Sequence, residues 1–333
     1  MIKETYWSVL KAMAYIAKRT VSRLITFIVV ISLLFFLARS SGTDPFARYL
    51  SEDPRIPLEQ IQRLRVKFGL DKPLHIQYFD FLRNTLSGEF GYSLYYKRPV
   101  FDVVLERLPY TIFLLGTSIT VSTILSYVLG IYFAYKRGTR IDSWGTNICM
   151  FIRSTPHFWL GMILLLVFAY YMPIFPLFGA LTPGVQHENT FEFIKDILFH
   201  YTLPLTTLIV RQTGMYVLYM RNCTVEVLGE DYMVTAKAKG VSKRSIMFKH
   251  AARNAMLPMV TATAIRLGFM VNGAILTETV FSLPGTGRLI YLSIMNDDFF
   301  LLQGSFFIVS ITVLLANLLS DIICARLDPR IKM

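Results

Sequence analysis

Six separated apolar stretches limit what this sequence can fold into more than any other feature. They run Leu24–Ala38, Thr111–Tyr135, Thr146–Met172, Tyr201–Met220, Pro258–Phe281 and Phe299–Ala325. Crossing a hydrocarbon core takes roughly 20 helical residues, and inside lipid a helix is the simplest way to satisfy every backbone N–H and C=O. The stretches predict an all-α polytopic membrane protein with six transmembrane helices. Composition agrees: 54% of the 333 residues are hydrophobic and 17% are charged, where soluble domains carry about 25% charged. The first stretch is short, and its flanks are expected to supply the missing turn. LARSSG behind it offers no small-residue cleavage site, so an uncleaved signal anchor is expected.

The distribution of Lys and Arg orients the spans. The N-terminal 23 residues hold five, KRGTR after the second stretch holds three, Arg221 to Leu257 holds seven, and the tail from Arg326 holds three. Pro173 to His200 carries only Lys195, and Ser282 to Phe300 only Arg288. Short cytoplasmic loops are the basic ones, so both termini and the 221–257 loop are expected in the cytoplasm. Arg39 to Arg107 has eleven basic and nine acidic residues, but it is too long for the rule to govern, and it is placed outside. The expected organisation is a cytoplasmic N-terminus (1–23), a first helix (24–38), an external cap (39–107), a five-helix domain (108–326) and a cytoplasmic tail (327–333).

The cap reads as two short amphipathic helices. Pro57 stands near a first-turn position, Gly69 ends the first helix, Pro73 opens the second and Gly88 closes it.

Catalytic signatures are missing from the sequence. It has no GxxxxGK[ST] phosphate loop, no HExxH and no GxSxG. GTGR at Gly285–Arg288 lacks the lysine. The chain is expected to be no enzyme, and any ATP is left to another chain. The three cysteines and five histidines are scattered, which suits neither a disulfide frame nor a metal site. The net charge of +12 would suggest nucleic acid only on a solvated surface; here it lies in membrane-flanking loops, so no nucleic-acid partner is expected.

One basic loop carries more than a sidedness signal. AKAKGVSKRSIMFKHAARNA (residues 236–255) holds six Lys or Arg and no acid. EDYMVTAKAKG predicts a short helix ended by Gly240, and Ser242 is placed to cap a second helix running to Pro258. Ala236 and Ala238 keep the first helix narrow enough to lie in a partner's groove. Ile246, Met247 and Ala251 form an apolar strip on the second. Anionic lipid also attracts such a loop, but lipid binding does not require a helix–glycine–helix with a bare alanine face.

Ionisable residues inside spans are expensive and mark functional candidates. Arg211 lies mid-span, Arg266 a third of the way into the fifth stretch, Glu278 near its far end and Asp321 near the end of the sixth. Asn272 joins Arg211, Arg266 and Glu278 as a translocation-path candidate, although with Gly268 and Gly273 it also suits close helix packing. Arg266 and Glu278 are three turns apart, so each is expected to bond a neighbouring helix if its role is structural.

Several motifs in order carry a family resemblance. EDYMVTAKAKGVSKRSIMFKHAARNAMLP resembles the coupling loop of ABC importer permeases of the oligopeptide and dipeptide class, the first of the two permease types. GLDKPLHIQY with GEFGYSL resembles the family's external segment, and LERLPYT and STPHFWLG resemble parts of its second and third spans. ETVFSLPGTGRL and ARLDPRIK resemble its C-terminal third. Departures are Val234–Thr235–Ala236 in place of the general Glu-Ala-Ala, and Phe299–Phe300 where the family usually has Tyr-Pro.

The resemblance implies a type I ABC importer transmembrane domain in a bacterial inner membrane. Its implied partners are a second homologous permease, two ABC ATPase subunits, an external substrate-binding lipoprotein, a peptide substrate and membrane lipid. ATP and Mg are expected in the ATPase subunits, with no cofactor on this chain. The implied ATPase-coupling residues are Glu230, Asp231, Tyr232, Thr235, Ala236, Ala238, Lys239, Gly240 and Ser242. Nickel and glutathione importers share this permease type and stay open as alternatives. A secondary transporter would be expected to show inverted repeats and matched half-helices, which the sequence does not display. A membrane anchor or assembly factor would have no need of buried charges in its spans.

Overall fold

The computed structural model describes residues 20–37, 39, 58–67, 69–268 and 275–327. Among the described residues, four helices are long and apolar enough to cross a membrane: α1 (Thr20–Leu37), α4 (Val100–Tyr135), α7 (Thr190–Leu228) and α13 (Phe299–Leu327). A bent pair, α5 (Arg140–Ser154) and α6 (His157–Leu165) with its π-helical continuation Leu166–Tyr171, makes a fifth if it counts as one span. The remaining stretch, Pro258–Phe281, is represented by α10 (Ala252–Gly268) and α11 (Ile275–Val280). Residues 269–274, Asn272 and Gly273 among them, lie outside the described residues, as do Pro57 and the N-terminal 19 residues.

The third predicted span is corrected by this geometry. Thr146–Met172 is not one rod: its two helices meet at 92°. Pro156 is the cause, since it has no N–H to donate and drives the preceding residue out of the helical region. Thr155 accordingly sits at φ −81°, ψ 127°.

The chain divides into two compact units, Met1–Pro109 with Gly285–Leu314, and Tyr110–Pro284 with Leu315–Met333. The first contains α1, α2 (Leu58–Lys67), α3 (Leu74–Leu86), a two-stranded antiparallel hairpin of β1 (Tyr92–Ser93) and β2 (Arg98–Pro99), α12 (Thr286–Met295) and the opening of α13. Its helix stops follow the sequence. Gly69 (φ +66°) closes α2, with Leu70 N bonding Arg65 O, and Gly88 (φ +81°) follows α3, with Glu89 N bonding Asn84 O. Beside α3, the Asp80 carboxylate 2.7 Å from Lys72 raises that exposed ammonium above its ordinary range.

Its core gathers Ile31, Val100, Val103, Val104, Leu289, Leu301, Phe307 and Ile308. Phe35 stacks on Phe81 of α3, and Ser32 Oγ lies 2.6 Å from Tyr78 Oη. The fully buried Asp298 ties the hairpin to α13. It accepts from Ser93 Oγ (2.6 Å) and Tyr95 N (3.0 Å), and caps the helix by accepting from Leu301 N (3.0 Å).

The second unit holds most of α4, then α5, α6, α7, the 221–257 segment, α10 and α11. Asn189 opens α7 by accepting from Glu192 N (2.9 Å), while Glu192 reaches back to Glu188 N (3.3 Å), a reciprocal cap. The larger apolar clusters of this unit gather around Leu114, Tyr201, Leu208, Phe281 and Leu283 and around Ile131, Met220, Met233, Met247 and Met259, and a smaller one holds Cys149, Val217 and Leu218.

Candidate functional site

The segment after α7 folds as expected from its punctuation. α8 (Asp231–Ala238) starts with Glu230 O accepting from Met233 N (2.9 Å) and closes with Val241 N on Ala236 O (3.3 Å). Gly240 sits at φ +74°, the left-handed region that closes such helices, and a Cβ there would meet nothing within 4 Å. Ser242 Oγ then accepts from Ser245 N (3.3 Å) and caps the short α9 (Lys243–Ser245).

The second helix of the loop needs correction. It does not stop at Pro258. After α9 the backbone runs through a π-helical turn, Ile246–Ala251, into α10, which carries Pro258 inside it. Proline is tolerated inside membrane helices because neighbouring groups re-satisfy the freed backbone. The loop is thus continuous with the next apolar helix.

α8 has two unlike sides. Met233 is fully buried, bedded among Met220, Ile246, Met247, Ala251 and Met259. Around the rest of the helix, Tyr232 and Val234 are 45% and 57% exposed, and Asp231, Thr235, Ala238, Lys239 and Gly240 are exposed as well. Ala236 is half-buried and packs on the cluster beneath. Tyr232 Oη also receives a hydrogen bond from Asn254 Nδ2 at 2.6 Å. The predicted strip Ile246, Met247 and Ala251 is buried, so it serves the floor under α8.

Sequence reasoning missed Met233 and Asn254. A single methionine in a polar octapeptide has no periodic signal, and a partner 22 residues away has no local one. It also missed the lock beneath the loop. Arg221, at the end of α7, grips Asp142 of α5 with two parallel bonds, Nε to Oδ1 and Nη2 to Oδ2, both 2.7 Å. The two side chains are 20% and 6% exposed. Asp142 also accepts from Gly138 N (3.3 Å), closing the KRGTR turn.

Of the path candidates, Arg211, Arg266 and Glu278 lie within the described residues and Asn272 does not. Arg211 is exposed midway along α7. Arg266 of α10 reaches Ser122 Oγ of α4 (3.2 Å) and Gln212 Oε1 of α7, and its guanidinium lies 3.9 Å over the Tyr216 ring. Its Nη1 is buried without a hydrogen-bond partner. Glu278 of α11 is 1% exposed and accepts from Thr111 Oγ1 of α4 at 2.6 Å. Each of the two charges bonds a neighbouring helix, as the structural alternative expected. Gln212, Ser122 and Tyr216 are uncharged, which is why they were passed over.

Known proteins place these features in one family. Residues 126–333 match the family described as the binding-protein-dependent transport system inner membrane component, and residues 12–115 match its N-terminal companion. The oligopeptide transport system permease protein AppB of Bacillus subtilis is 32% identical over 321 residues, covering 96% of this chain and 99% of its own length. The glutathione transport system permease protein GsiC of Escherichia coli K12 is 34% identical over 318 residues, covering 96% and 98%. An inward-facing structure of the MetNI methionine ABC transporter aligns with a TM-score of 0.52 at 15% identity, over 68% of this chain and 96% of that one, which speaks for the fold alone. The chain belongs to the family of binding-protein-dependent transport system inner membrane components.

Proposed function

We propose that this chain is one of two permease subunits of an ATP-driven importer that moves peptides into the cytoplasm. Both termini and the 221–257 loop face the cytoplasm, and residues 39–107 form an external cap. The chain carries no ATP-binding motif and binds no cofactor; ATP and Mg sit in two partner ATPase subunits, and an external lipoprotein delivers cargo. The observation that carries this reading is the two-sided α8: an exposed face of Tyr232, Val234, Thr235 and Ala238 above a buried Met233. A helix anchored on one side and bare on the other suits a soluble partner's groove. The relatives' names support peptide cargo, and glutathione, the cargo named for one of them, is itself a tripeptide.

Coupling requires that the partner's grip on α8 differ between two conformations. Gly240 offers a clean test, because its surroundings are open and only its backbone angle restricts replacement. In the reconstituted complex, Gly240→Val is expected to lower cargo-stimulated ATP hydrolysis and uptake at least tenfold. Gly240→Asn, which tolerates the left-handed region, keeps most of both. Equal activity in the Val variant and the native protein would show that the loop is not the coupler.

A further inference from the structure

Tyr135 is the last residue of α4, one of the membrane-crossing helices, and it gathers two cations. Lys136 Nζ lies 5.6 Å from the centroid of its ring, and Lys243 Nζ of α9 lies 5.3 Å from it, both within cation–π range. The exposed Phe248 stands with its ring centroid 6.0 Å from that of Tyr135. Two segments distant in sequence thus bring one ammonium each to a single aromatic side chain. Among the described residues, neither ammonium has a carboxylate partner. Asp142, the acid of the adjoining turn, is taken up by Arg221. Like charges repel, so the pair favours an anion that both can reach.

The wall beside the pair narrows which anion. Ile124, Val128 and Tyr132 of α4 are 58%, 57% and 39% exposed. Their spacing of four sets them on one face of the helix, and Tyr135 follows one turn on. At 1.5 Å per residue, Ile124 to Tyr135 covers about 16 Å, about half of a hydrocarbon core roughly 30 Å thick. That is the depth of one leaflet. Tyrosine at a helix end beside basic residues is also the side chain expected at headgroup level. A soluble anion would make no use of this apolar ladder, whereas a phospholipid uses both parts.

We propose that Lys136, Lys243 and Tyr135 form a binding site for an anionic phospholipid. The phosphate meets the two ammoniums, and an acyl chain lies along Tyr132, Val128 and Ile124. The site depends neither on the cargo nor on which side of the membrane the turn faces.

Native mass spectrometry of the full chain with its bound subunits tests this, after release from nanodiscs of equal parts phosphatidylglycerol and phosphatidylcholine. The native protein is expected to retain phosphatidylglycerol at least fivefold over phosphatidylcholine. Lys136→Gln and Lys243→Gln should each cut that preference at least threefold. Arg140→Gln, which removes an exposed charge of the same turn with no place over the ring, should leave it within twofold. Glycerophosphoglycerol, the headgroup without its chains, should not displace the lipid at equimolar concentration. Neither lysine is buried and they lie on separate segments, so if one variant fails to assemble the other decides. The proposal is overturned if the native protein shows no preference, or if Arg140→Gln matches the lysine variants, which would mean diffuse charge. It is overturned too if the free headgroup displaces the lipid, which would mean a soluble anion. An assembled lysine variant with native preference also overturns it, as when a partner subunit covers the patch.

Discussion

Two arginines of the second unit stand in opposite surroundings. Arg221, beneath the loop, has a carboxylate in bidentate contact and leaves no charge unmatched. Arg266, within the apolar helix α10, is met by a hydroxyl, an amide oxygen and an aromatic face, and leaves its Nη1 unpaired. The first arrangement fixes two helices against each other. The second leaves net positive charge among uncharged polar and aromatic groups. The first belongs to the frame, and the second is a candidate lining of the proposed conduit.

The largest effect should come from breaking the first pair. Asp142→Ala leaves Arg221 partly buried without its counter-charge, a loss of about 3–5 kcal/mol for such removals. Thermal unfolding of the detergent-solubilised chain should show it. The double replacement Asp142→Leu with Arg221→Leu should recover most of that loss. A single variant as stable as the native protein would end the contrast.

Arg266→Met should behave in the opposite way. An apolar side chain replacing a poorly compensated charge costs little, so stability should stay within about 1 kcal/mol, while uptake of charged peptides falls. Unchanged uptake with lost stability would make Arg266 part of the frame. The smallest structural effect belongs to Arg211→Met, since exposed positions usually shift stability by no more than about 0.5 kcal/mol. Complex assembly should be intact, and reduced uptake in vesicles would add Arg211 to the conduit.

The sequence disclosed features that rest on local rules. Gly69, Gly88, Gly240 and Ser242 stop or cap helices where their side chains, or lack of them, demand it. The apolar stretches located the long helices for the same reason. Pro156 and Pro258 show where local rules divide. One bends its segment by 92° and the other rides inside a helix, and neighbouring packing decides between the outcomes. Asp142, Asp298 and Glu278 each also find a side-chain partner far along the chain, Arg221, Ser93 and Thr111, 79, 205 and 167 residues away. No short-range pattern could have paired them.

The footing under α8 has a mechanical consequence. Four of the side chains in that cluster are thioethers, Met220, Met233, Met247 and Met259. Unbranched and polarisable, methionine changes rotamer at small cost while staying in contact. A bed of branched side chains would hold α8 at one angle and resist any tilt. The bed that joins α8 to α7 and α10 is thus built largely of side chains that can repack while staying in contact.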